Sequence, residues 1–247
     1  MTDRIPDRRD ADALEASTDD LRRAGAAYDR DTAVRATFIT RVYGWLLGAV
    51  ATFVLLEVWL FSTGLAERIA AGLVRTNWML VLGGFMVAGW LARGVAARAA
   101  STAAQVAGLA LYVVAQAIIF VPLLYVAEYK AGGGVIGSAA ILTGLGFTGL
   151  TLIAWQTRRD FTFLGGLLRW AGVLALVAIA GSVFFGLNLG TWFSLAMIAV
   201  AGGAILYDTS NIIRYWPSDR PVGAALELFA SVALLFWYLL RLLSSRR

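Results

Sequence analysis

The sequence predicts an all-α integral membrane protein, a bundle of seven transmembrane helices, and three observations carry that reading. Of 247 residues, 60% are hydrophobic and only 15% charged, where a soluble domain carries roughly 25% charged residues. The mean hydropathy is +0.73. The apolar residues fall in stretches of about 20, the length that crosses a bilayer as helix. With neither histidine nor cysteine in the chain, disulfides, thiol nucleophiles, histidine-based triads and zinc sites are excluded, and any proton sensing falls to carboxylates.

Residues 1–35 hold nine acids and seven arginines and no apolar core, so they do not read as a signal peptide. Mixed charge and few large apolar residues make them a disordered or loosely helical cytosolic tail ahead of a transmembrane domain over 36–247. Spans are expected at about 41–63, 77–95, 103–126, 135–156, 167–187, 189–213 and 222–243. Polar breaks separate them, and tryptophans such as Trp59, Trp155 and Trp216 stand near the ends, where interfacial aromatics belong. The fifth and sixth spans are divided only by Asn188, Leu189 and Gly190.

Orientation follows from the basic residues. With the tail inside, the cytosolic face collects Arg35, Arg41, Arg93, Arg98, Arg158, Arg159, Arg169, Arg214 and Arg220, against Arg68, Arg75 and Lys130 opposite. Seven crossings place the terminal Arg241, Arg246 and Arg247 on that opposite face, against the rule. Outside the tail, seven acids face fourteen bases, so the chain's net +5 is a membrane body at +7 offset by a tail at −2. No basic stripe with stacking aromatics lies outside the spans, which excludes nucleic acid as a partner. The expected surroundings are the lipid bilayer.

Gly144-Leu-Gly-Phe-Thr-Gly149 matches a dinucleotide fingerprint letter for letter, but it lies inside a span with no preceding strand. Its small residues, Gly144 and Thr148, are expected to admit a close neighbouring helix. The acids within the spans carry more information. A carboxylate at a span centre costs about 2.5–3.5 kcal/mol, and Asp208 and Glu227 both lie in apolar runs. Asp208 stands six residues before Arg214 and Glu227 seven after Arg220, which puts them at matched depth, roughly 9–10 Å from one interface, on antiparallel neighbours. If their faces meet, the pair shares a proton or holds a cation; otherwise each is satisfied alone by an arginine or water. Glu57 is the other intramembrane acid, either part of a pathway or near an interface with Arg68 as partner.

Three stretches together resemble the Bax inhibitor-1 (transmembrane Bax inhibitor motif) family, most like its bacterial branch. They are Gln156-Thr-Arg-Arg-Asp-Phe-Thr-Phe-Leu-Gly-Gly166, Ile205-Leu-Tyr-Asp-Thr-Ser210, and the run from Ala225 to Leu243. The resemblance covers about residues 36–243 and implies a seven-helix bundle with the last helix central. It also implies a pH-sensitive calcium leak gated by two buried aspartates on spans six and seven, with an arginine near the end of span two latching the closed site. Asp208 falls on the first aspartate, and Arg93 is the nearest candidate for the latch. The second aspartate is replaced: Ser231 stands there, and Glu227, four residues earlier on the same face, is the candidate substitute.

Two functions follow as expectations. One is a membrane-embedded calcium leak, with Asp208 as the cation-binding or gating acid, since carboxylate oxygens suit a hard cation. The other is a non-conducting interaction protein modulating a membrane-anchored, ATP-dependent protease or a stress response. No nucleophile constellation is present, so an enzyme is not expected. No cofactor is expected beyond calcium as the transported ion. The expected location is a bacterial inner membrane, with the amino terminus cytosolic. Nothing in the pattern specifies an oligomeric state.

Overall fold

The computed structural model describes residues 8–75, 78–98, 101–131, 134–157, 159–186 and 189–245. Among these residues the chain is helices and connecting turns: α1 (Arg8–Ser62), α2 (Leu65–Arg75), α3 (Trp78–Arg98), α4 (Thr102–Tyr129), α5 (Val135–Gln156), α6 (Leu164–Phe185), α7 (Thr191–Arg214) and α8 (Pro221–Ser244). Six of the described segments are long and apolar enough to cross a membrane: Thr32–Ser62 of α1, and α4 to α8. The second expected span, 77–95, folds as α3 but does not stand among those six, so the described residues do not yield the expected seven. Residues 8–35, expected as a loosely helical or disordered tail, form the first part of α1.

The expected break at Arg68–Arg75 is instead the amphipathic helix α2. Leu65, Ala66, Ile69 and Ala70 pack on Leu60, Val121 and Tyr125. Their i, i+4 spacing is what draws a polar-looking link into a helix against α4.

The last helix lies in the middle. α8 packs against α1, α3, α4, α5 and α7, and 67% of its most apolar stretch is buried, against 6% for α6. Lipid is as apolar as leucine, so close packing and not water exclusion joins these helices. The run Gly223-Ala224-Ala225 lets neighbours approach α8, and an aromatic cluster interlocks beyond it. Phe120 of α4, fully buried, meets the rings of Phe53 at 5.2 Å, Phe236 at 5.6 Å and Trp237 at 4.9 Å.

The glycines act elsewhere than expected. A side chain at Gly144 would meet nothing within 4 Å, so that position is not a close helix contact; Gly146 is, with Leu235 of α8 at 3.5 Å. The tightest approach joins α6 to α7. A Cβ on Gly165 would stand 2.8 Å from Cε2 of Tyr207, so any side chain there would force the Tyr207 ring to shift.

Arg35 closes the end of α7. Its guanidinium donates from Nε to the Ile213 carbonyl at 2.9 Å, from Nη1 to Trp216 at 2.6 Å and from Nη2 to Ile212 at 2.7 Å. The final carbonyls of a helix have no partner within it, and one planar guanidinium here satisfies two of them, together with the Trp216 carbonyl just beyond the helix.

The turn between α5 and α6 is pinned to the same end. The Phe161 amide donates to Ser210 Oγ at 3.1 Å, and the Tyr215 hydroxyl donates to Asp160 Oδ2 at 2.6 Å. Bonds from Tyr215 and from the hydroxyl and amide of Thr162 hold the Asp160 carboxyl down at about 2. Its contribution to folding is therefore complete above the ordinary aspartate value near 3.9 and is lost as pH falls toward 2. A carboxyl-carbon NMR titration of Asp160 should show its midpoint near 2, rising in Tyr215→Phe. An ordinary midpoint in the parent protein would remove this anchor.

Candidate functional site

Asp208 sits in the penultimate turns of α7, where the helix turns polar through Thr209 and Ser210 after a long apolar run. Directly across, on α8, Ser231 donates its hydroxyl to Asp208 Oδ2 at 2.5 Å. The position at which the resemblance places a second aspartate thus touches the first. A serine hydroxyl satisfies one carboxylate oxygen but brings no second charge, so proton sharing between two acids is unavailable at this contact.

Glu227, one turn earlier on α8, does not hydrogen-bond Asp208. Its Oε2 lies 3.5 Å from Nη1 of Arg93 on α3, with side chains 27% and 45% exposed. Arg93 also lies over the Tyr112 ring of α4, with Cζ 5.7 Å from the centroid. Both Glu227 and Arg93 are close enough to act electrostatically on Asp208. Arg93 therefore pairs with Glu227, not with Asp208. Helices α3, α4, α7 and α8 bring one arginine, two acids and the hydroxyls of Tyr112 and Ser231 together.

Chemically, the cluster holds an acid–base pair beside a carboxylate with a single side-chain hydrogen bond. Asp208 can present an oxygen to a hard cation, and Arg93 can move between two acceptors. Among the described residues no group of three or more acidic, histidine or cysteine side chains is placed to hold a metal. Glu57 is not part of this cluster. It is buried on α1, lines a cleft toward α4, α5 and α8, and neither of its oxygens has a hydrogen-bond partner, Arg68 included.

Sequence reasoning missed Tyr112 and Arg35. A tyrosine in the middle of an apolar span was a signal for the first. Arg35 stands at the foot of the first span, and nothing local distinguishes it from the other basic residues there.

A family model described as "Inhibitor of apoptosis-promoting Bax1" matches residues 35–247. Similar proteins include an uncharacterised protein of Campylobacter jejuni, 35% identical over 130 residues, which are 50% of this chain and 53% of the relative. The modulator of FtsH protease YccA of Escherichia coli K12 is 34% identical over 112 residues, 45% of this chain and 51% of its own. Protein LIFEGUARD 1 of Arabidopsis thaliana is 33% identical over 120 residues, 46% and 50% of the two chains. The matched part spans about half the length of these relatives.

Proposed function

This chain belongs to the family of inhibitors of apoptosis-promoting Bax1, and from that membership we propose that it is a membrane-embedded calcium leak, modulated by pH through intramembrane carboxylates. It is an integral membrane protein of long apolar helices. In the proposed arrangement α3 supplies the seventh crossing, and the arginine distribution sets the amino terminus in the cytosol of a bacterium, with the inner membrane as its home. The observation that supports the leak best is the Asp208–Ser231 contact between α7 and α8. An acid on the seam of the central helix stands where a moving cation would need an oxygen ligand.

Asp208 is the cation-binding and gating acid in this reading. Arg93 and Glu227 form the adjustable part: while paired with Glu227, the guanidinium lies over the Tyr112 ring. The test is calcium uptake into proteoliposomes holding an entrapped indicator. Asp208→Asn is expected to reduce flux to the rate of empty vesicles, and Glu227→Gln to alter its pH dependence. Unchanged flux in Asp208→Asn sinks the reading.

A second reading has its own support. The Escherichia coli relative carries the name of a modulator of FtsH protease, and the first turns of α1 extend well before the apolar stretch that begins at Thr32. In this alternative the chain binds a membrane-anchored protease through that extension and does not conduct. Removing residues 1–30 would abolish co-purification with the protease and leave calcium flux as it was.

A further inference from the structure

One cavity belongs to neither reading. It is an elongated cleft of about 950 Å³ between α1, α4, α5 and α8, at the upper end of the 300–1,000 Å³ typical of small-molecule sites. Along α1 it runs from Tyr43 to Ser62, roughly 28 Å of helix rise. Its walls are nearly all apolar, and Val54 and Val58, which line it, are exposed on the membrane-spanning part of α1. The cleft thus opens toward the lipid phase.

Among the few polar residues of the lining, Glu57 is the buried acid, whereas Glu128 is exposed. Glu57 is 7% exposed, and both of its carboxylate oxygens are buried without a hydrogen-bond partner. A polar group in such surroundings costs several kcal/mol unless something bonds it. Phe53 and Phe61 stand one turn to either side of it on the same face of α1, and both line the cleft with Phe120 and Phe147. Aromatic faces around a carboxylate are the surroundings that stabilise an organic cation.

We propose that this cleft binds a single-chain alkylammonium amphipath, its ammonium on Glu57 and its chain along the apolar groove toward Tyr43. Primary ammonium supplies the N–H donors that both carboxylate oxygens lack, and the rings of Phe53 and Phe61 face its charge. The groove takes the alkyl chain, which reaches it sideways from the bilayer. A phospholipid bearing the same ammonium would bring its phosphate against Glu57, so the single-chain form is favoured.

The test uses the full chain in phosphatidylcholine nanodiscs, with dodecylammonium and dodecanol as probes and binding read by isothermal calorimetry. Dodecylammonium is expected to bind at least about tenfold more tightly than dodecanol, a gap of about 1.4 kcal/mol, and Glu57→Gln should erase that gap. Gly144→Phe, at a position where an added Cβ meets nothing within 4 Å and which lines the cleft, should abolish binding of both probes. Equal affinity for ammonium and alcohol in the parent protein overturns the proposal whether or not the Glu57 variant folds. Retained dodecylammonium affinity in either variant also overturns it. Displacement of the probe by phosphatidylethanolamine in mixed nanodiscs would overturn the single-chain assignment.

Discussion

Arg35→Ala is expected to lower the free energy of unfolding by about 2–4 kcal/mol. Hydrogen bonds to a charged group contribute about 1.5–3 kcal/mol each, and this guanidinium makes three, two to the final carbonyls of α7 and one to Trp216 just beyond it. The sum is not reached, because the side chain is only half-buried and water can reoccupy some of the carbonyls. Arg35→Lys should recover little, since a single ammonium cannot match the planar fork. The measurement is unfolding by SDS titration in mixed micelles. A loss below about 0.5 kcal/mol would show that solvent serves the end of α7 equally well.

Removing Arg93 should cost about 2 kcal/mol and removing both members of its pair should cost less. Breaking a buried pair by deleting one partner is worth about 3–5 kcal/mol, reduced here because the Arg93 side chain is 45% exposed. In Arg93→Leu, Glu227 remains in the bundle with Asp208 nearby and no countercharge. Adding Glu227→Leu removes the stranded acid, so the double variant should regain about 1 kcal/mol over the single one. Simple additivity in a double-mutant cycle would mean that the two side chains do not meet.

Much of this was legible because lipid imposes strong rules. Spans four to seven can be read from apolar length alone, and the observed helices α5 to α8 end within a few residues of the expected limits. Counting residues placed Asp208 and Glu227 at matched depth, but Glu227 pairs with Arg93 and Asp208 with Ser231, so the two acids do not meet. Which side chains touch could not be read. Depth along a helix follows from counting residues, whereas facing depends on the rotation of each helix, and a rotation of one residue exchanges Glu227 for its neighbours. Ser231, four residues on, is the one that meets Asp208. The α2 helix was missed because Glu67 and Arg68 obscure its narrow apolar stripe. Gly144 was misread because a small residue lines a cavity as readily as it admits a helix.

The central place of α8 has a consequence for biogenesis. Ribosomes deliver the chain in order, and at about 5–20 residues per second the 24 residues of α8 follow the end of α7 by seconds. Throughout that interval α1, α4, α5 and α7 have no axis to close around, and Asp208 has no hydroxyl partner. The earlier helices can already pair, as α3 with α4 and α5 with α7 do, but the bundle is completed only when α8 arrives. A stalled chain ending before Pro221 would expose an acid at membrane depth with nothing to hold it, a state that membrane quality control is equipped to recognise.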